Sequence, residues 1–184
     1  MAKIGVIGAG SWGIALSVLL HSNGHEITVW SVIEEEIQML KDTHEHQSKL
    51  PGVELSEEME FTTDLESAVK GKDILVLAVP SPYIRSTANS MCDYVIKDQI
   101  ILNVAKGIEE SSLHTMSQVI EEEIPQAKVA VLSGPSHAEE VGRGIPTTIV
   151  VGAKEKNTAQ YIQSVFMNER FRVYTSPDVC GIEL

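Results

Sequence analysis

The chain has 184 residues, 43% of them hydrophobic, enough to bury one substantial core or one domain plus the start of another, so disorder is excluded. Its formal charge of -12 excludes nucleic acid and an anionic membrane surface as partners, since both require a field of the opposite sign. Any bound phosphate must therefore be held locally, by oriented groups rather than by the net field.

In chain order, a short apolar strand is expected over 4–7, directly after Met1-Ala2-Lys3 and without a leader-like apolar stretch before it. Gly8-Ala9-Gly10-Ser11-Trp12-Gly13 follows and opens a helix over 12–20. This is GxGxxG between strand and helix. Gly8 permits the tight turn, Gly10 lets a pyrophosphate approach the backbone, and Gly13 lets the helix pack on the strand. Ser11 and Trp12 then stand at the helix N-terminus, whose free N–H groups suit phosphate.

A second strand is expected over 27–30 and a helix over 33–40. The acid that holds adenosine ribose hydroxyls in NAD sites belongs at this strand tip, yet the sequence reads Val29-Trp30-Ser31-Val32-Ile33-Glu34. Glu34 either swings back to the ribose or complements the helix dipole from the first turn. With no Arg to meet a 2′-phosphate either, the choice between NAD and NADP stays open, the acidic chain tilting it toward NAD. The glutamate runs at 34–36 and 121–123 read as solvated helix faces. Residues 44–60, polar and carrying Pro51-Gly52, read as a long surface connection.

Further strands are expected over 74–79, 100–104, 129–132, 148–151 and 170–174, and helices over 65–69, 84–92, 113–124 and 159–166. Strand alternating with helix implies right-handed parallel crossovers, hence a single α/β domain of Rossmann type with a doubly wound, mainly parallel sheet. Three loops at strand carboxyl ends carry unusual residues: Pro80-Ser81-Pro82, Ala105-Lys106-Gly107-Ile108-Glu109 and Ser133-Gly134-Pro135-Ser136-His137-Ala138. That is where such folds collect ligands. Read without its neighbours, Lys106 is a solvated surface charge; read with them, its ammonium is a donor for an oxygen that gains negative charge.

Cys92 and Cys180 lack CxxC spacing and read as buried thiols of a reducing compartment, which predicts a cytoplasmic protein. His44-Glu45-His46 lacks HExxH geometry, so no metal site is expected. His21 and His25 flank a helix end, where cations suit the dipole, and His137 either shapes a pocket from its loop or fills space there.

GAGSWG, Leu50-Pro51-Gly52, Ala78 to Ser81, Ala105 to Glu109, Ser133 to Val141, Pro146 to Thr148 and the closing 172–184 segment together resemble the NAD(P)-dependent glycerol-3-phosphate dehydrogenases. The resemblance covers essentially the whole chain. It implies a dinucleotide-binding domain over 1–184, in which 176–184 begins the connection to a helical substrate domain that is absent. The family's Gly-Ala-Leu-Lys-Asn motif, bearing the acid/base lysine, would lie beyond residue 184. The implied reaction interconverts dihydroxyacetone phosphate and sn-glycerol 3-phosphate with NAD or NADP, feeding phospholipid synthesis, in a homodimeric full-length enzyme.

Residue by residue, the resemblance puts Ser11 and Trp12 on the cofactor pyrophosphate and Val32 beside the adenosine ribose. Lys106 would touch both nicotinamide and substrate, Gly134 and Ser136 the substrate, and Ala138 the cofactor. The family often has a basic residue or His where this chain has Val32. The alternatives are a related hydroxyacid or ketoacid reductase and a non-catalytic nucleotide-sensing module.

Overall fold

The computed structural model describes residues 1–184. Six parallel strands form the body: β1 (Lys3–Ile7), β2 (Glu26–Trp30), β5 (Glu60–Thr62), β6 (Ile74–Leu77), β7 (Ile100–Asn103) and β8 (Lys128–Ser133). They lie in the order β5-β2-β1-β6-β7-β8, and β9 (Thr147–Ala153) and β10 (Phe171–Ser176) extend the β8 edge. Val- and Ile-rich runs take this form because both faces are covered, which leaves no polar alternation in the strands. Ile4, Val6, Val76 and Leu102 enter one core with α1 (Ser11–Ser22) and α7 (Lys156–Phe166). Ile7, Leu75, Leu77 and Ile101 enter the other with α3 (Leu65–Val69), α4 (Ile84–Met91) and α5 (Met116–Glu123).

One expectation about direction is corrected. β9 pairs antiparallel with β8, and β10 pairs parallel with β9. Between β8 and β9 lies α6 (Ala138–Gly142), a five-residue helix that packs on α1 and that no periodicity in the sequence marks. From β9 the chain passes through α7 and comes back as β10, parallel to β9.

Residues 44–60 are also more than a surface connection. They form a hairpin of β3 (Glu45–His46) and β4 (Leu50–Glu54), and then lead into β5 at the sheet edge. Leu50, Val53, Leu55 and Met59 are buried in the first core. Their spacing among polar neighbours hides the apolar face. The helix expected from 113 starts at Met116, because Thr115 and Gln118 form a capping box and Leu113 sits at φ 61° in the left-handed region.

Several side chains differ from expectation. Cys92 is half-buried and Cys180 exposed on α8 (Val179–Glu183), so neither is a core thiol. Glu36 is buried rather than solvated, and Glu121 and Glu123 are tied to Lys154 and Arg85. His25 accepts from the Ala2 N–H at Nδ1 (3.1 Å), and its Nε2 lies 3.0 Å from the Val165 carbonyl, so the ring ties the N-terminus to the end of α7. No helix is long and apolar enough to cross a membrane.

Candidate cofactor-binding site

Strand order reverses between β1 and β6, and the carboxyl ends of the strands there open into a cleft of about 930 Å³. The three glycines of the β1–α1 turn are required for three different reasons. Gly8 has φ +121°, and a Cβ there would stand 2.8 Å from the Ala78 carbonyl. A Cβ on Gly13 would meet the Gly8 carbonyl oxygen at 2.1 Å, so α1 comes this close only without a side chain. At Gly10 a Cβ would meet nothing within 4 Å: the space is open, on the cleft side.

Gly10 is also the N-cap of α1 and no side chain caps it. The first intrahelical bond is from the Ile14 N–H to the Gly10 carbonyl (2.9 Å), which leaves the N–H groups of the preceding turn unsatisfied within the helix. Ser11 and Trp12 of that turn line the cleft. A free helix N-terminus beside an open glycine is a cradle for a diphosphate, and it needs no net positive charge on the chain.

At the β2 tip, Val32 is 76% exposed and lines the cleft. The carboxylate that reaches back to this tip is that of Glu36, in the first turn of α2 (Glu34–Thr43), bonded to Ser31, and not that of Glu34. The Glu36 carboxylate accepts from Ser31 Oγ, from Lys49 Nζ and from His46 Nε2 (2.9 Å). Burial pushes its pKa up, but the hydrogen bonds from Lys49, Ser31 and His46 outweigh that and hold it below the ordinary carboxylate value. Glu36 and Lys49 both line the cleft. Local spacing carried no signal for this cluster, because His46 and Lys49 arrive from the hairpin.

Across the cleft, Lys106 is exposed on the loop after β7, its Nζ 3.3 Å from the Gly134 carbonyl oxygen that accepts from it. Asn103 shapes this loop from behind: its Oδ1 accepts from the Ala105 N–H (3.1 Å) and its Nδ2 donates to the Ala105 carbonyl (3.0 Å). Gly107, at φ +135°, packs over Ser81, whose Oγ would lie 3.1 Å from a Cβ there. On the outer side Arg85 grips Glu109 in a fork, Nε to Oε1 at 2.8 Å and Nη2 to Oε2 at 2.7 Å. Arg85, with help from the Ser112 hydroxyl, brings the Glu109 carboxyl down to about 2.

The cleft therefore gathers Gly8, Gly10, Ser11, Trp12, Val32 and Lys106. Gly13 lies underneath, in the packing of the turn. Gly134, Ser136 and Ala138 do not line it; Gly134 and Ser136 lie in the β8–α6 turn and Ala138 opens α6, and of the three only Gly134 is tied to the cleft, by its hydrogen bond from Lys106. Pro80 and Ser81, from a loop the sequence marks as ligand-side, join the lining, as do Thr87, Glu36 and Lys49, which the sequence did not single out as site residues.

Residues 3–159 match the family model described as NAD-dependent glycerol-3-phosphate dehydrogenase N-terminus. The chain belongs to that family. It is 60% identical, over its whole length, to 55% of a glycerol-3-phosphate dehydrogenase [NAD(P)+] of Agathobacter rectalis. Against the Fusobacterium nucleatum protein of the same name it is 55% identical, again over the full chain and 56% of that relative. The chain thus spans about half the length of the curated relatives it matches. In structure it is similar to the glycerol-3-phosphate dehydrogenase of Coxiella burnetii, with TM-score 0.94 and 27% identity over 99% of this chain and 56% of that one. A ketopantoate reductase from Ralstonia eutropha shares the fold at TM-score 0.73 and 19% identity, covering 98% of this chain and 58% of that one.

Proposed function

We propose that the chain is the cofactor-binding half of an enzyme that interconverts dihydroxyacetone phosphate and sn-glycerol 3-phosphate with NAD(P)H in the cytoplasm, supplying phospholipid synthesis and working as a homodimer at full length. The observation that carries this is the juxtaposition, at the switch point of the sheet, of an uncapped helix N-terminus over an open glycine with an exposed lysine on the opposite wall. A bound nicotinamide would supply the hydride. The backbone of Gly8 and Gly10 and the first turn of α1 at Ser11 and Trp12 hold the pyrophosphate, Gly13 serves this cofactor site by letting that turn pack on the strand, and Val32 lies beside the adenosine ribose. Lys106 contacts the nicotinamide end and the substrate, where its ammonium stabilises the negative charge that builds on the carbonyl oxygen. Gly134 and Ser136 contact the substrate from the adjoining turn and Ala138 contacts the cofactor. Residues 176–184 lead toward the substrate domain that the resemblance implies, and the proton donor comes from there.

Titration with NADH tests the first half of this reading, and turnover tests the second. The 184-residue chain should bind NADH yet leave it unoxidised in the presence of dihydroxyacetone phosphate, because orientation of the substrate, worth about 7–11 kcal/mol when complete, needs both halves. Extended to the length of its relatives, the enzyme should turn over, and Lys106→Met should lower kcat/KM at least about 10²-fold. Steady NADH oxidation by the short chain would overturn the half-site assignment. Normal turnover in the lysine variant would return Lys106 to a surface charge.

A further inference from the structure

We propose that Glu183 is a positioning residue for Lys106, acting through Asn103. Glu183 lies on α8, a short helix packed on β8 and β9, and only 4% of it is exposed. Its carboxylate accepts from the Ser117 backbone N–H (2.7 Å), the Ser117 hydroxyl (2.6 Å) and Asn103 Nδ2 (3.0 Å). Asn103, fully buried at the last position of β7, spends the rest of its amide on Ala105, the residue before Lys106. A continuous chain of hydrogen bonds therefore runs from α8 to the Lys106 loop. The proposal rests on the reading of Lys106 as the lysine at the nicotinamide end.

The residue type argues for more than a staple. An apolar side chain would fasten α8 to the sheet at less cost, since a carboxylate loses its hydration on burial. What the carboxylate adds is that it only accepts. Facing it, Asn103 must present its NH2 group; that NH2 group also serves the Ala105 carbonyl, and Oδ1 is left for the Ala105 N–H. The amide has one orientation, and both polar groups of Ala105 are fixed with it. The position of the carboxylate over the first turn of α5 complements that helix dipole and ties the far side of the same loop to the same point. Glutamine at 183 can satisfy the same partners: its carbonyl takes the two donors at Oε1, while its NH2 donates to a Ser117 hydroxyl that turns toward Thr115 Oγ1, 3.1 Å away.

The test compares NADH with ADP-ribose, which lacks the nicotinamide. In the 184-residue chain, Glu183→Ala should weaken NADH at least about fivefold and leave ADP-ribose within about twofold, while Glu183→Gln keeps both near wild type; a fivefold change is about 1 kcal/mol. Parallel losses for both ligands, no loss for either, or a glutamine variant as weak as the alanine variant would each overturn the proposal. If Glu183→Ala does not fold, Asn103→Ala leaves the carboxylate its two Ser117 donors and cuts only the link to the loop. It must show the same selective loss, and unchanged NADH affinity would overturn the proposal. Lys106→Ala is the control: if it has no selective effect on NADH, the reading of Lys106 is wrong, whereas a selective effect there but not in the Glu183 variants rejects the positioning role alone.

Discussion

The two walls of the cleft are built by opposite means. The β1–α1 turn is shaped by what its glycines lack, over six consecutive residues, and its polar groups are backbone. The Lys106 loop is shaped by side chains that come from far away: Arg85 from α4, 24 residues before Glu109, and Glu183 from α8, 80 residues after Asn103. A turn made of backbone can be broken only by adding atoms. A loop pinned by side chains can be loosened by removing them, and it responds to pH.

The largest effects should come from the glycine wall, where binding and stability separate by position. Gly10→Val should reduce NADH affinity at least about 100-fold, some 2.7 kcal/mol, because its side chain occupies open space that no protein atom fills. Its melting temperature should stay close to wild type, since Gly10 has φ -67° and needs no left-handed backbone. Gly13→Ala is expected to do the reverse. A methyl 2.1 Å from the Gly8 carbonyl oxygen forces α1 off β1 and costs stability at the upper end of the roughly 1–3 kcal/mol of an overpacked core. Thermal melts beside calorimetric titrations check both, and a Gly10→Val chain that still bound NADH at wild-type strength would make the turn a packing device only.

This contrast also sets what could be read in the sequence. The glycine turn was legible because all its constraints are local, and the strands were legible because burial on both faces leaves uniform Val and Ile runs. Neither the antiparallel return of β9 nor the packing of the hairpin was legible. The helix before β9 has five residues, too few to show a period, and the hairpin buries Leu50, Val53 and Leu55 from positions scattered among polar residues. Glu36 was read as one of three solvated glutamates because nothing at positions 34–36 tells which of them meets His46 and Lys49. In the same way Lys106 stood out by its motif, while Asn103 and Glu183 look ordinary until the fold brings them together.

A smaller effect is expected at the adenosine end, where the cleft carries an exposed apolar side chain beside a lysine already engaged with Glu36. Val32→Arg adds a guanidinium that can grip a 2′-phosphate with two hydrogen bonds and has no carboxylate assigned to it. The ratio of NADP to NAD affinity should rise about tenfold, or about 1.4 kcal/mol. Competitive titration of the two cofactors measures it. Strong NADP preference in the unmodified chain would mean that Lys49 already serves the phosphate in spite of Glu36.

The smallest effect, and the one that most sharpens the contrast between walls, concerns the outer pin of the Lys106 loop. Glu109 is held down to about 2 by Arg85 and the Ser112 hydroxyl, against an ordinary value of 4.5. A carboxyl whose pKa is lower in the folded chain stabilises the fold above the unfolded value, and that contribution drains away as pH falls toward the folded value. Wild type should therefore melt above Glu109→Gln at pH 6, with a gap that narrows steadily between about 4.5 and 2. Arg85 keeps its charge throughout this range, its pKa being raised by Glu109, Glu122 and Glu123, so the carboxyl alone titrates within the pair. Glu123, held by Asn89 and by the same Arg85, is also lowered, which means that both chains lose some stability in acid and only the difference between them reports on Glu109. The pair is partly exposed, so the gap should be modest and should shrink in high salt. A gap that does not change with pH between 6 and 2 would show that Glu109 acts by shape, leaving Asn103 and Glu183 as the polar anchors of the loop.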